Sequence, residues 1–407
     1  MHELIPFYAL YAILFADHGL DAAQISSLLV IWSLTSFVLE VPSGAWADTV
    51  SRRGLLVLGA LLTGAGFAAW TVFPSYLGFA IGFVLWGTGG ALDSGTFEAL
   101  LYDELTARSA ARDYARVMGY ARSAAEFGAL LGILAATPLF AWGGYGLVGW
   151  VSVAVCGVAA SLAWSLPPAA KAASVAAVAD LEDDADAVPI LDEHRSPLHT
   201  YVSMLRTGIA EVVERPTVRW GVLLASMLFG FTAFDEYFGL LAEENGASTQ
   251  TIPLLVGLTV AGTLIGSALA GRTAKMRSAT MAWALVVAAV ALAVGALTGG
   301  AGVVGVAGFA AIGVGYGIIS NAVVVTEARL QDSIEGPARA TVTSVSGLLS
   351  EVVALAVFGA VALGSVWLPI SVNVALLAVP VLLTAVLVPK WLPATHSDPD
   401  EVAEVAG

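Results

Sequence analysis

Apolar residues run through this chain in long unbroken stretches, and polar residues are confined to the gaps between them. Such stretches cover 1–17, 22–43, 54–72, 76–100, 114–137 and 145–166, and after a polar break 217–243, 250–270, 279–298, 302–326, 338–363 and 366–389. A helix needs about 20 apolar residues to cross the hydrocarbon of a bilayer, so the pattern predicts about twelve transmembrane helices. The gaps carry turn chemistry or charge, as at Phe73-Pro74-Ser75, Trp142-Gly143-Gly144, Glu244-Asn245-Gly246 and Gly299-Gly300. Strands of an outer-membrane barrel would instead alternate polar and apolar residues over about ten positions. The fold class expected is all-α integral membrane.

Composition agrees. Of 407 residues, 58% are hydrophobic and 12% charged, with a mean hydropathy of +0.84. Charge that sparse cannot cover a water-facing surface, so lipid must cover much of it. The basic residues sort by gap. One alternating set holds Arg52, Arg53, Arg108, Arg112, Lys171, Arg195, Arg206, Arg215, Arg272, Lys275, Arg277 and Arg329. Lys390 follows the last stretch, Arg116, Arg219 and Arg339 open theirs, and the other gaps hold none. The positive-inside rule then predicts a multi-pass protein of the inner (plasma) membrane with both termini in the cytoplasm. A net charge of −15 with no basic patch argues against a nucleic-acid partner. The lone Cys156 excludes an intramolecular disulfide or a cysteine metal site. No glycine-lysine nucleotide loop, metal cluster or hydrolase motif is present, so no cofactor, metal or catalytic residue is expected. No cleavable signal peptide is evident in the first stretch.

The chain also resembles itself. Asp17-His18-Gly19, with Ile25 and Leu28, recurs 227 residues later as Glu244-Asn245-Gly246 with Ile252 and Leu255. Gly44 recurs as Gly271, and Ala47 as Ala274. At an offset of 229, Glu98-Ala99-x-Leu101-x-Asp103 recurs as Glu327-Ala328-x-Leu330-x-Asp332. Two six-helix halves of the same orientation fit parallel repeats about an axis along the membrane normal. The expected domains are a bundle over 1–166, a cytoplasmic connection over 167–216, a second bundle over 217–389 and a tail over 390–407. The register starts the first helix about ten residues before Met1, so either that helix is short or the natural start lies upstream. Within the connection, 167–196 reads as a disordered acidic linker carrying Asp180, Glu182, Asp183, Asp184, Asp186, Asp192 and Glu193. Residues 197–215 place Leu198, Val202, Leu205, Ile209, Val212 and Val213 at helical spacing, as in an interfacial amphipathic helix.

Between the second and third spans stands Gly44-Ala45-Trp46-Ala47-Asp48-Thr49-Val50-Ser51-Arg52-Arg53. This resembles the signature loop of the major facilitator superfamily (MFS): a glycine, an aspartate four residues on, then a basic pair. Thr49 stands where a basic residue is usual, Ser51 where a glycine is usual, and the second copy has Lys275 in the aspartate's place. In physical terms Gly44 allows close helix approach. Asp48 is an anion suited to a helix N-terminus or a basic side chain. Arg52 and Arg53 are expected to pair with carboxylates at neighbouring helix ends, where Glu98 and Asp103 stand in the first half and Glu327 and Asp332 recur in the second. Arg116 and Arg339 open the fifth and eleventh spans. The resemblance implies that such pairs latch the cytoplasmic side shut when a transporter faces outward.

Ionisable residues deep in a bilayer cost several kcal/mol and are functional candidates by default. Glu126 and Glu351 fall near the midplane of the fifth and eleventh spans, and Asp235 and Glu236 near the middle of the seventh. Asp93 and Arg122 lie about two turns from the inner ends of theirs, and Arg122 and Glu126 are spaced to pair on one helix face. Asn321, Tyr8 and Tyr11 are further candidates for hydrogen bonds to a solute. Carboxyls outnumber cations here, so at least one is expected to be neutral at rest, as proton coupling requires. The expectation is a monomeric, proton-coupled secondary transporter working by alternating access, exporting a small cationic or drug-like solute. An uptake permease for a neutral metabolite, or a membrane protein that does not transport, remains open. The membrane arginine of the fourth span and the Gly-Pro of the fifth, frequent in drug–proton antiporters of the superfamily, are absent.

Overall fold

In the computed structural model of the chain, residues 3–166, 170–173, 178, 212–298, 302–334 and 339–394 are described. Most of the acidic linker, and the amphipathic stretch up to 211, lie outside them. The chain folds as two compact units, one formed by Met1–Ser203 with Ser248–Leu254, the other by Met204–Ala247 with Leu255–Gly407.

The first unit contains α1 (Tyr11–Asp17), α2 (Ala22–Thr49), α3 (Arg52–Val72), α4 (Tyr76–Asp93), α5 (Thr96–Ala107) and α6 (Tyr114–Ser165). The sequence sets these limits locally. Asp21 caps α2 through a capping box with Gln24, and Ser51 and Ser75 accept backbone N–H bonds at the starts of α3 and α4. Glycines set two of the boundaries between helices. The fourth stops at Asp93 because Gly95 turns left-handed at φ 68°, and α5 restarts the helix beyond it. In α6, non-helical Gly143 and Gly144 divide the fifth and sixth spans where the sequence predicts a turn.

The second unit contains α7 (Pro216–Phe231), α8 (Phe238–Glu244), α9 (Ile252–Thr273), α10 (Ser278–Leu297), α11 (Val303–Ser333), α12 (Arg339–Gly364), α13 (Ile370–Leu376) and α14 (Ala378–Trp391). Among the described residues no strand occurs, and nine helical stretches are long and apolar enough to cross a membrane. One of them, Ala111–Ser165, contains both the fifth and the sixth expected spans. The first and fourth expected spans are not among the nine, because a 3₁₀ turn interrupts the first and Gly95 shortens the fourth.

The repeat is visible in the backbone. A 3₁₀ stretch leads into α1 at Pro6–Ala9 in the first unit and joins α7 to α8 at Thr232–Tyr237 in the second. The offset of 227 carries the first into the interior of the second. The helix after each 3₁₀ stretch then ends on a left-handed glycine, Gly19 at φ 87° and Gly246 at φ 84°.

Helices approach closely through glycine inside each unit. A Cβ on Gly87 in α4 would meet the Trp32 carbonyl of α2 at 3.0 Å. In the second unit a Cβ on Gly262 or Gly266 of α9 would lie 2.0 or 1.9 Å from the carbonyl oxygens of Gly313 and Gly317 in α11. Lipid supplies no hydrophobic drive between helices, so contact this close is what holds them. Gly44 and Gly271 do not serve this purpose, contrary to the sequence reading, since a Cβ at either would meet nothing within 4 Å. Gly266→Ala should therefore cost about 1–3 kcal/mol by overpacking, whereas Gly271→Ala should be neutral or slightly stabilising, as thermal unfolding of the purified protein in detergent would show.

Candidate functional site

The α2–α3 corner is a tight turn in which Val50 and Ser51 are extended. It puts Arg52, in the first turn of α3, beside Asp48 in the last turn of α2. Arg52 is only 3% exposed. Its five N–H donors meet five acceptors. Nε donates to the Ala47 carbonyl at 3.3 Å, and Nη1 to the Ala99 carbonyl at 3.1 Å and to Asp103 Oδ2 at 2.8 Å. Nη2 donates to Asp48 Oδ1 at 3.1 Å and to the Ala173 carbonyl. A guanidinium has five donors and no more, so this one is saturated.

Residues that follow α6 complete the set. The Ala172 N–H donates to Asp103 Oδ1 at 2.8 Å, and Lys171 Nζ to the Asp48 carbonyl at 2.7 Å. Ala173 and Val178 are buried among Ala99, Tyr102, Tyr114 and Met118. The start of the connection is thus strapped onto the signature loop, which its sequence does not announce. Burial pushes the Asp103 carboxyl above its usual range, against the lowering pull of the Ala172 N–H and of Arg52. Burial likewise lowers Lys171, helped by the neighbouring Arg52 charge and opposed by Asp48 and Asp103.

Other expected gate residues stand elsewhere. Among the described residues Arg53 pairs with no carboxylate: Nη1 donates to the Leu166 carbonyl at 3.1 Å, and the guanidinium lies 4.8 Å from the Trp164 ring centroid. Glu98 is half-buried in the first turn of α5, where an anion suits the helix dipole, and is not a partner of Arg52. Arg116 is exposed and makes a local pair with Asp113 at 3.5 Å. Glu327 and Asp332 are exposed, and the side chain of Arg339 is outside the description.

The buried cation of the second unit is instead Arg329, 4% exposed. Its Nε and Nη2 donate to the Ala274 carbonyl at 3.2 and 3.0 Å, and Nη2 also to the Met276 carbonyl. The latch between a loop and a helix end is kept, but the cation moves from the loop to the helix, where it reaches carbonyls of the loop. Lys275, in the place of Asp48, is exposed. Arg329 could have been found as the cation inside the recurring Glu327–Asp332 segment.

At the opposite end of each unit the recurring acid is also a latch. Asp17 accepts from the Tyr145 hydroxyl at 2.6 Å, tying the end of α1 to the start of the sixth span. Glu244 accepts from the N–H groups of Ile370 and Ser371 at 2.7 and 2.9 Å, capping α13 at the start of the twelfth. The 227 offset carries Asp17 to Glu244 and Tyr145 to within two residues of Ile370.

Of the deep candidates, Asp235 and Glu236 lie in the 3₁₀ stretch Thr232–Tyr237 rather than in regular helix. The Tyr316 hydroxyl of α11 donates to the Thr232 carbonyl at 2.9 Å, and the Asp235 side chain lies against the same hydroxyl. Glu351 is half-buried in α12. In the first unit Asp93 lies against α3, with Oδ1 3.1 Å from where a Cβ on Gly59 would stand. Arg122 and Glu126 are exposed on α6. Asn321 is a packing residue: its Nδ2 donates to the Gly266 carbonyl at 2.9 Å and its Oδ1 accepts from Thr273 at 3.0 Å. Tyr8 stacks on Trp86, centroids 5.4 Å apart, and Trp86 on Trp32 at 4.8 Å, while Tyr11 is 2% exposed inside the same aromatic cluster.

Two units of long apolar helices with 3₁₀ stretches at matching positions, a saturated arginine at the signature loop and carboxyls at a helix break fit a polytopic transporter fold. The chain belongs to the major facilitator superfamily, whose family model matches residues 4–357. It is similar in fold to a bacterial homologue of the iron transporter ferroportin, at TM-score 0.66 and 17% identity over 95% of this chain and 93% of that one. A POT family peptide transporter matches at 0.67 and 13% identity over 98% and 96%. A D-xylose–proton symporter matches at 0.64 and 16% identity over 97% and 94%. A search of curated proteins found no significant match.

Arg52→Gln should destabilise the first unit by about 3–5 kcal/mol, because it strands a buried carboxylate, whereas Arg53→Gln should cost well under half of that. Losing Arg52 removes one downward pull on Asp103, so its pKa rises further. A raised folded-state pKa means that folding takes up a proton. The deficit of the Arg52→Gln variant should then shrink as pH falls through the carboxylate range, measured by thermal unfolding in detergent across pH. Glu244→Ala should cost about 1 kcal/mol by uncapping α13, with Glu244→Asp intermediate.

Proposed function

We propose that this superfamily transporter is a proton-coupled exporter of a small cationic or drug-like solute, working by alternating access. The observation that carries the reading is the 3₁₀ break at Thr232–Tyr237 within the apolar stretch Pro216–Glu244, which contains Asp235 and Glu236, with Asp235 against Tyr316. A discontinuous helix frees backbone groups and sets side chains at mid-membrane, where transporters of this architecture bind solutes and coupling ions. A carboxyl held there carries a cost of about 2.5–3.5 kcal/mol when charged. Releasing a proton to bind a cation, and taking one back, turns that cost into coupling. Glu126 and Glu351 add carboxyls at similar depth in the fifth and eleventh spans, so cation exchange rather than anion transport is favoured.

In this reading the chain acts as a monomer in the plasma membrane with both termini in the cytoplasm. Bundles over 1–166 and 217–389 are joined by the acidic connection over 167–216. The Arg52 cluster with Asp48 and Asp103, and the Arg329 clamp, brace the cytoplasmic ends of their units. Arg122 and Asp93 support the first unit's share of the solute path.

The test is transport in proteoliposomes with an imposed pH gradient, using a panel of lipophilic amines and sugars. Asp235→Asn should reduce gradient-driven amine transport to background, while Tyr316→Phe should weaken it and shift its pH dependence. Unchanged transport at every gradient after separate neutralisation of Asp235, Glu236, Glu126 and Glu351 would refute proton coupling through these groups.

A further inference from the structure

In the second unit the start of α7 meets the end of α14. Trp220 and Trp391 stack there, with centroids 4.8 Å apart and planes 19° from parallel. The Arg219 guanidinium lies over the Trp220 ring, 4.9 Å from its centroid. Its Nε is shielded from solvent and has no hydrogen-bond partner among the described residues. Lys390, one residue before Trp391, is exposed in the last turn of α14, and Arg215 is exposed at the N-cap of α7. Glu214, also exposed, is the carboxylate in that stretch. A Cβ on Gly221 would meet Pro393 at 3.0 Å, so the two helix ends are held together without need of a ligand.

The first unit shows what is missing. The 227 offset carries Trp164 to Trp391. Arg53 lies 4.8 Å from the Trp164 centroid, and its guanidinium finds an acceptor two residues further on, the Leu166 carbonyl at 3.1 Å. In the second unit the arginine is Arg219, which lies over its own neighbour Trp220 and not over Trp391, and among the described residues no acceptor reaches its Nε. A shielded guanidinium N–H left without an acceptor is costly, which favours an acceptor supplied by a ligand.

We propose that Arg219, with Lys390 and Arg215, binds the phosphodiester of an anionic phospholipid in the leaflet facing the basic loops, with Trp220 and Trp391 packed along its glycerol and upper acyl chains. Tryptophan favours the headgroup level of a bilayer, and guanidinium matches the paired oxygens of a phosphate. Anionic lipids concentrate on the side where basic residues cluster. The inference needs only that the chain is embedded in a bilayer and stands apart from the assignment of solute or coupling ion.

Native mass spectrometry of the purified full chain, exchanged into detergent with equal phosphatidylglycerol and phosphatidylcholine, tests it. The wild type should retain phosphatidylglycerol selectively, and Arg219→Gln should lower that retention about fivefold, the worth of one basic residue at an anionic surface. Arg53→Gln, whose arginine already has a carbonyl, should leave retention unchanged. Inorganic phosphate in excess should not displace the lipid; displacement would assign the site to soluble phosphate and overturn the lipid reading. Equal retention of both lipids, equal retention by Arg219→Gln, or equal loss in the Arg219 and Arg53 variants would each overturn it too. A rise in melting temperature with added phosphatidylglycerol in the wild type, absent in a folded Arg219→Gln protein, gives an independent readout.

Discussion

Hydrocarbon offers no hydrogen-bond partner, and the architecture of this chain follows from that lack. Backbone groups are satisfied by helices, and where a helix breaks, another part of the same unit supplies the missing partner. The Tyr316 hydroxyl serves the Thr232 carbonyl at one break, and the Glu244 carboxylate serves the free N–H groups of α13. Arg52 is the fullest case, with every donor matched inside the protein. The same constraint makes glycine valuable. Where Gly262 and Gly266 face Gly313 and Gly317, the backbones themselves form the interface.

The two units keep the geometry of the repeat while trading its chemistry. Both carry a 3₁₀ stretch at the same register position and end the helix that follows on a left-handed glycine. Both use the recurring acid after that helix as a latch, to a tyrosine hydroxyl in one unit and to a helix N-terminus in the other. At the basic end, the first unit buries an arginine–aspartate network and the second an arginine on backbone carbonyls. Deep polar groups diverge most. At the equivalent break the first unit presents Tyr8, stacked on Trp86, and the second presents Asp235, set against Tyr316. Repetition therefore supplies the frame, and the side chains at the two equivalent positions differ in chemistry, an aromatic stack in one unit and a carboxyl in the other.

Family membership fixes transport as the activity and leaves solute, direction and coupling to the chain's own residues. The structures it resembles, at 13–17% identity, share a fold with it. The case for a cationic solute rests on carboxyls placed where charge is expensive. The strap of residues 170–173 on the signature loop adds that the connection between the halves begins as part of the first unit, since Arg52 and Asp103 are satisfied only with it in place.

The sequence by itself determined the solvent, the helical class, the repeat and the signature loop, because run length, composition and spacing are properties of the chain alone. It also brought Arg52 and Arg53 near Asp48, Glu98 and Asp103 as candidate partners, since adjacent spans with a short turn meet at one end, but did not choose among them. Only the tertiary structure decided the partners. Arg53 went to a carbonyl and a tryptophan, Asn321 to packing, and Gly44 to open space, while Arg329 emerged as the buried cation of the second unit. Which acceptor a side chain reaches depends on the rotation of each helix about its axis, and helices that are apolar on every face carry no mark of that rotation in their sequence. The 3₁₀ breaks were hidden for a similar reason: apolar residues continue through them, and hydropathy does not register a change in hydrogen-bond spacing.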